Sequence, residues 1–282
     1  MSYFVKNIKR LLMPPIISNI KYYLNRNDCL YYYGNYSTFE EAEADINIKE
    51  GYTAVNILEQ VDAATQKVRR GKALYEQDGI CFYKPNYNFE LLASLLYVNM
   101  LLKKICVLDF GGALGSTYFR YRDIIEYNRI NWCIVEQEHY VTRGKNTVPE
   151  LQFYYTIEEA LLNMPPPRVL LLSSVIGYLN NPYKWLREML SKDFSFIIID
   201  ETAFFKKRRA CSQIMLQHVP ASIYEAVYPV TIFGECEFKK IIEEFNYEIV
   251  WEWVYQGGQI PIKRGILFED TIDKGFLLKK KN

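Results

Sequence analysis

The chain is poor in the residues that build metal centres and nucleophilic triads. Two histidines, His139 and His218, occur in 282 residues. Six cysteines (Cys29, Cys81, Cys106, Cys133, Cys211 and Cys236) show no C-x-x-C pair and no metal-ligand spacing. That pattern argues against a zinc site or a dithiol redox centre and predicts a reduced, cytoplasmic chain. Charge of one sign is not in excess either: 34 basic and 33 acidic residues leave +1. Nothing general draws the chain to nucleic acid, and no such partner is expected. Long apolar runs are missing. The longest, Leu91 to Leu102, is broken by Ser94 and Asn99 and is too short to cross a bilayer. No secretory signal, repeat or low-complexity tract is read. What remains is a core-forming composition, 50% hydrophobic, long enough for one large α/β domain with an extension. The 24 tyrosines suit an aromatic cleft, but drift toward Tyr, Lys, Ile and Asn gives the same number without any function.

The densest signal lies at Ile105-Cys-Val-Leu-Asp-Phe-Gly-Gly-Ala-Leu-Gly-Ser116. An apolar, β-branched run ends in Asp109, and three glycines follow. This is a buried strand entering a tight turn and a helix N-terminus, where glycine lets backbone approach a nucleotide-like ligand. A second apolar run, Trp132-Cys-Ile-Val-Glu136, places a carboxylate at its tip, where such sheets hold a ribose diol. The dinucleotide pattern G-x-G-x-x-G fails twice from Gly111, at Ala113 and Ser116. The pattern D-x-G-x-G-x-G of S-adenosylmethionine loops fits at Asp109, Gly111 and Gly115, with Ala113 replacing the middle glycine. A sulfonium cofactor has no pyrophosphate, so it does not need a helix N-terminus aimed at phosphate.

Residues 1–87 read as an N-terminal helical extension or cap. Within it, Thr38-Phe-Glu-Glu41 is a capping box, Ala54 to Tyr75 has helical spacing, and Gly79 to Asn88 reads as a loop. Residues 88–282 read as a Rossmann-like domain. Strands at Ile105–Phe110, Trp132–Val135, Gln152–Tyr155, Arg168–Ser173 and Phe194–Asp200 alternate with helices, which predicts a mostly parallel, doubly wound sheet. Residues 201–232 are expected to be a long acceptor-side connection. Tyr247–Trp253 and Gly275–Lys280 are expected to close the sheet as an antiparallel hairpin across a loop at 256–273. The segment Met1 to Leu24 carries Lys6, Lys9, Arg10 and Lys21 among apolar residues. It either packs on the domain or lies peripherally on the inner face of a membrane.

Several segments occur in one order: residues 107–116, Val135-Glu-Gln137, Leu172-Ser-Ser-Val175 with Tyr178-Leu179, Ile198-Ile-Asp200 and Tyr228-Pro229. Upstream stands Tyr75-Glu-Gln-Asp78. Across residues 35–255 the chain resembles a family of class I methyltransferases found in bacterial surface-polysaccharide gene clusters. The resemblance implies a Rossmann-like methyltransferase fold and S-adenosylmethionine as cofactor, with S-adenosylhomocysteine as product. Its family context implies a sugar hydroxyl on a small or glycan-linked acceptor. The family carries Arg-Thr-Pro-Phe where this chain has Glu201-Thr-Ala-Phe204, so no anion-binding arginine stands there.

The cofactor candidates are Asp109, Gly111, Gly112, Ala113, Gly115, Glu136, Gln137, Ser173 and Ser174. Asp109 either orders the loop or meets the cofactor's amino group. Glu136 either holds the ribose or is a solvated strand end. Ser173 and Ser174 end a strand on the ligand-binding edge, or cap a helix. An alcohol acceptor gains from a general base. The candidates are Asp200 first, then Glu201, and His218 in the long connection. The run Lys206-Lys-Arg-Arg209 either contacts an anionic acceptor or is solvated. Two other functions compete: a non-catalytic module of the same fold, and a nicotinamide-dependent sugar-nucleotide oxidoreductase. The latter is disfavoured by the failed dinucleotide pattern and the lack of a well-placed Tyr-x-x-x-Lys pair. Oligomeric state is not readable.

Overall fold

A computed structural model describes residues 29–46, 55–192, 194–207, 211–223, 225–255 and 259–281. The amphipathic segment 1–24 and the arginines of the basic run at 206–209 lie outside the described residues. The chain begins with strand β1 (Tyr31–Tyr36) and helices α1 (Phe39–Ala44) and α2 (Val55–Arg69). A hairpin of β2 (Tyr75–Gln77) and β3 (Ile80–Phe82) leads to α3 (Phe89–Leu102). Alternation follows: β4 (Cys106–Phe110), α4 (Ser116–Tyr127), β5 (Asn131–Val135), α5 (Glu138–Thr147), β6 (Gln152–Tyr154), α6 (Ile157–Asn163), β7 (Arg168–Ser173), α7 (Pro182–Ser191) and β8 (Phe196–Phe205). The last part holds β9 (Gln213–Val219), β10 (Ala226–Ile232), α8 (Glu235–Glu244), β11 (Tyr247–Tyr255), β12 (Ile262–Arg264), β13 (Leu267–Glu269) and β14 (Thr271–Lys280).

Seven strands form the main sheet in the order β11-β14-β8-β7-β4-β5-β6. Strands β4 to β8 pair in parallel, and β14 runs antiparallel between β8 and β11. This is the expected α/β fold class, a mostly parallel, doubly wound Rossmann-like sheet closed by an antiparallel pair. The central strands are apolar on both faces because helices cover both. Leu108, Leu170 and Ile197 lie in one buried cluster; Val107, Val169 and Ile198 lie in the other. The capping box at Thr38 forms, its hydroxyl accepting from the Glu41 amide, and Thr156 of Thr156-Ile-Glu-Glu159 caps α6 in the same way through the Glu159 amide, each at 3.1 Å.

Three regions depart from expectation. The segment before residue 88 is not purely helical. Asp78-Gly79 is a two-residue turn with both φ angles positive, 53° and 75°, so the expected loop starts as a hairpin. The connection at 201–232 is built mostly of strands. Strand β8 runs on past the end of β7 to Phe205, still paired with β14, and β9 and β10 form an antiparallel pair. The expected loop at 256–273 holds β12 and β13. These pieces join β1 in a second sheet, ordered β10-β9-β1-β12-β13. It is tied to β8 by bonds from Phe205 N to Phe233 O and from Phe233 N to Ala203 O, at 3.1 and 3.0 Å. The second sheet roofs the strand ends of the first. Among the described residues no helix is long and apolar enough to cross a membrane.

Candidate functional site

Strand register assembles the first half of the site. In the β4–β5 pair, Phe110 lies opposite Val135, so the residues that follow, Gly111 and Glu136, emerge side by side. The Gly111 amide closes the gap by donating to Val135 O at 2.9 Å. Gly111 has φ 74°, and a Cβ there would stand 2.5 Å from Val175 Cγ2. Glycine is therefore required by the loop's own packing against the β7 end as well as by any ligand. At Gly112 a Cβ would meet the Asp109 carboxyl at 2.6 Å. Ala113 sits at φ 49°, a left-handed conformation that suits glycine, and this methyl-bearing residue adopts it at some strain.

Asp109, Gly111, Gly112, Ala113, Glu136 and Gln137 line one cavity of 1460 Å³, and so do Ser173 and Ser174. Gly115 does not line it. Its φ of 100° starts α4, and a Cβ there would strike Leu151 Cδ1 at 2.5 Å, so the correction is that Gly115 shapes the loop from outside the cavity. Asp109 is 1% exposed and accepts from Trp132 Nε1 at 3.2 Å. Burial pushes its carboxyl up to about 7, with Trp132 opposing and Glu136 reinforcing. Burial also raises Glu136, against the backbone amides of Gln137 and Ala113. The Gln137 amide donates to Glu136 Oε2 at 2.6 Å. Glu136 thus braces the glycine loop as well as facing the cavity, and it is not a solvated strand end. Ser174, at φ 53°, donates its amide to Asp200 O at 3.0 Å.

The three expected proton acceptors separate. Asp200 does not reach the cavity. It is 0% exposed, and its oxygens take bonds from Asn88 Nδ2 at 3.1 and 2.9 Å and from Trp253 Nε1 at 3.0 Å. Asn88 also caps α3 through the Leu91 amide. Asp200 therefore ties β8, β11 and α3 together. His218 is turned away as well. Strand pairing sets Tyr32, Gln217 and Tyr228 in one row across β1, β9 and β10, and these line the cavity. The next row, Tyr31, His218 and Val227, points to the opposite face, and of it only Val227 also borders the cavity. There His218 stacks on Tyr31 at 4.7 Å.

Glu201 alone of the three lines the cavity. It has φ 46°, just past the last β7–β8 pair, where β8 continues along β14 after a shift of register. Burial lifts its carboxyl to about 8; Asp200 adds repulsion and Arg120 opposes it.

Besides Tyr178, which the sequence places on the loop after Ser174 at the acceptor side, the structure adds residues that the sequence reading left out. Glu76 and Asp78 enter from the β2–β3 hairpin, and Glu76 accepts from Ser116 Oγ and from the Gly79 amide. The Asp78-Gly79 pair between Tyr75–Gln77 and Ile80–Phe82 was the available signal for that hairpin. Tyr255, Asp273 and Ala203 form a row across β11, β14 and β8 on the cavity floor. Burial raises Asp273 to about 6, with Asp200 adding to it. Tyr178 Oη donates to Gln217 Oε1 at 2.8 Å and its ring meets Tyr228 edge-on at 5.5 Å. Among the described residues nine carboxylates and one guanidinium, Arg120, line the cavity. Arg120 is held by Asn86 O and lies over Tyr75 at 5.0 Å. Lys206 of the basic run pairs with Asp270 at 3.0 Å outside the cavity. No metal-binding cluster occurs among the described residues.

In the course of its chain the protein is similar to the N-terminal domain of EvdMO1, solved in the presence of S-adenosylhomocysteine and D-fucose. Identity is 11% and the TM-score 0.48, over 77% of this chain and 97% of that one. It is similar to a Burkholderia thailandensis 1,6-didemethyltoxoflavin-N1-methyltransferase at 11% identity and TM-score 0.40, over 84% and 93%. A methyltransferase of Clostridium acetobutylicum gives 8% and 0.42, over 70% and 93%. At such identities the likeness concerns the fold alone. No family model and no curated protein matches the chain.

Proposed function

We propose that the chain transfers a methyl group from S-adenosylmethionine to a small acceptor seated under the second sheet. The observation that carries this reading is the clasp of the Gly111–Ala113 loop to Glu136, in a cavity where carboxylates outnumber cations nine to one. A cofactor with a sulfonium and an ammonium fits that field, whereas the pyrophosphate of a dinucleotide opposes it. The loop glycines cannot carry a Cβ without striking Val175 or Asp109, so they set the tight loop beside which adenosine and methionine would lie. Glu136 would accept from the ribose hydroxyls, and Asp109, Gln137, Ser173 and Ser174 would complete the holding set. When bound, S-adenosylmethionine supplies an electrophilic methyl carbon.

The chain's own residues then do three things. The roof row of Tyr32, Gln217 and Tyr228 excludes water and holds the acceptor against the strand ends. Glu201 takes the proton from an acceptor hydroxyl, having a carboxylate matched to near-neutral work. Asp200 fixes the strand segment that presents Glu201 and acts by positioning. The family resemblance supports a sugar hydroxyl of a bacterial surface polysaccharide or its precursor as the acceptor, making the enzyme an O-methyltransferase. The absence of a disulfide among the described cysteines suits a reducing cytoplasm.

The test is thermal unfolding with S-adenosylhomocysteine and, in parallel, NAD and NADP. A ligand at about 100 times its dissociation constant stabilises by about 2.7 kcal/mol, a rise of roughly 5–10 °C at this size. A rise with S-adenosylhomocysteine alone is expected. A rise only with a nicotinamide cofactor, or with none of the three, overturns the reading.

A further inference from the structure

The roof buries a side-chain amide that is only half satisfied. Gln217 is 4% exposed and lines the cavity. Register sets Tyr32 and Tyr228 directly opposite it on the flanking strands β1 and β10, so the three side chains share one face at cross-strand contact distance. Tyr178, from the turn after β7, closes a further side. Its hydroxyl donates to Gln217 Oε1 at 2.8 Å, and its ring meets Tyr228 edge-on. The amide thus stands between three tyrosines.

Hydrogen bonding fixes which end of the amide faces the cavity. The Tyr178 proton goes to Gln217 Oε1, so in the hydrogen bond between Tyr32 and Tyr178 the donor is Tyr32. The donors run from Tyr32 to Tyr178 to Gln217 Oε1, and both protons of Gln217 Nε2 are left over. Nε2 hydrogen-bonds no group of the described residues, and it is not sealed off from the cavity that Gln217 lines. An amide nitrogen this deep in the protein and unused is costly unless a ligand completes it. Around it the cavity presents mostly carboxylates, which accept, and its one guanidinium, Arg120, already donates to Asn86 O.

We infer that Gln217 is a specificity-determining residue whose amide nitrogen donates to an uncharged oxygen of the acceptor, a ring ether or a hydroxyl, lying among Tyr32, Tyr178 and Tyr228. A fixed donor among aromatic rings suits a neutral, oxygen-bearing ring, which packs its apolar surface on tyrosine and turns one oxygen to the N–H. A site built around such a donor rejects a ligand that lacks the matching oxygen, because the buried N–H is then left unpaired. An ammonium at that point would set donor against donor, and a phosphate would meet the carboxylates of the cavity. The inference deepens the methyl-transfer reading and rests on it for the name "acceptor", although the donor can be tested without it.

The experiment is ligand-observed NMR titration of the full chain, with and without S-adenosylhomocysteine, against three rings of one shape. Tetrahydropyran-2-methanol has a ring oxygen that accepts, cyclohexanemethanol has a methylene in its place, and 2-piperidinemethanol has a charged N–H donor there. The ether is expected to bind roughly three- to tenfold more tightly than the carbocycle, the size of one net hydrogen bond, and more tightly than the piperidine. Gln217→Met keeps the length and removes the donor. It is expected to bring ether and carbocycle within about twofold and to leave S-adenosylhomocysteine affinity unchanged. Tyr178→Phe frees the amide to turn and is expected to shrink the ether preference in the same direction. Equal or tighter binding of the carbocycle or the piperidine by the wild-type chain overturns the inference. So does binding of none of the three, or an ether preference that survives Gln217→Met. The wild-type outcomes stand even if a variant fails to fold. Normal S-adenosylhomocysteine binding with no ether preference sinks this inference alone; the ether preference without S-adenosylhomocysteine binding sinks the methyl-transfer reading alone.

Discussion

The two halves of the cavity are made in opposite ways. The half proposed for the cofactor comes from short contiguous segments, each at the end of a parallel strand: 109–113 after β4, 136–137 after β5 and 173–174 after β7. The half proposed for the acceptor is gathered from strands far apart in the chain, β1, β8, β9, β10, β11 and β14. In the first, local turn chemistry and the fixed register of parallel strands do the positioning. In the second, a sheet that closes only when five distant segments pair does it. Substitutions in the first half should therefore act on affinity for the cofactor, and those in the second on turnover. Residues at the seam should act on stability.

Glu201 is the sharpest test of that division. Its replacement by glutamine should lower kcat by roughly 10²–10⁴ and leave S-adenosylhomocysteine affinity within about threefold. With its carboxyl near 8, the ionised base grows as pH rises, so wild-type kcat should climb to a plateau above about pH 8. Stability should move the other way. The folded pKa lies above the unfolded value of about 4.3, so this group's contribution is full below that value and is lost as pH rises through about 8. Glu201→Gln should flatten both profiles, and a pH–rate curve that survives the substitution assigns the proton to another group.

One residue away, Asp200→Ala should leave cofactor affinity nearly intact but cost roughly 2–5 kcal/mol of stability, because Asn88 Nδ2 and Trp253 Nε1 lose their buried acceptor. Chemical denaturation measures it; a loss below 1 kcal/mol would remove Asp200 from the seam. At Gly111, valine should weaken S-adenosylhomocysteine binding by about 100-fold, through a strained φ and a clash with Val175. Normal binding by that variant would mean that the loop does not hold the cofactor. Glu136→Ala should cost about 1.5–3 kcal/mol of the same binding, and calorimetry that shows no change would assign the ribose elsewhere.

The same contrast explains what could be read from the sequence. Asp109, Gly111 and Glu136 were legible because a strand, a turn and a helix start leave a local pattern, and parallel register then brings them together. Asp200 was misassigned because a carboxylate at a strand end looks alike whether it faces a ligand or a buried tryptophan. Its partners, Asn88 and Trp253, are 112 and 53 residues away. Asp273 gave no signal at all, since its meaning depends on β14 folding back over β8. The roof strands β12 and β13 were read as loop because they are three residues each, whereas β9 and β10, seven residues each, were taken for a connection because they pair away from the alternating parallel core. Short strands that bury one face only after distant pairing leave little periodicity to detect.

The smallest expected effect comes from the residue that the chain's scarcity of histidine made conspicuous. His218 and Gln217 are neighbours on β9, yet strand alternation gives them opposite fates: Gln217 takes the Tyr178 hydroxyl in the cavity, and His218 stacks on Tyr31 outside it. His218→Ala should leave kcat and KM within about twofold of wild type, costing only a surface-side ring contact of roughly 0.5–1.5 kcal/mol in stability. Burial, with Lys263 nearby, lowers its pKa. Its contribution to stability is therefore present above the unfolded value of about 6.5 and lost as pH falls through the lower folded one, and the variant should lack that acid-side loss. Gln217→Ala, one residue away, should change KM for the acceptor while leaving S-adenosylhomocysteine binding alone. If His218→Ala instead abolished turnover, the register of β9 against β1 would be off by one residue, and the whole roof row of Tyr32, Gln217 and Tyr228 would have to face away from the cavity.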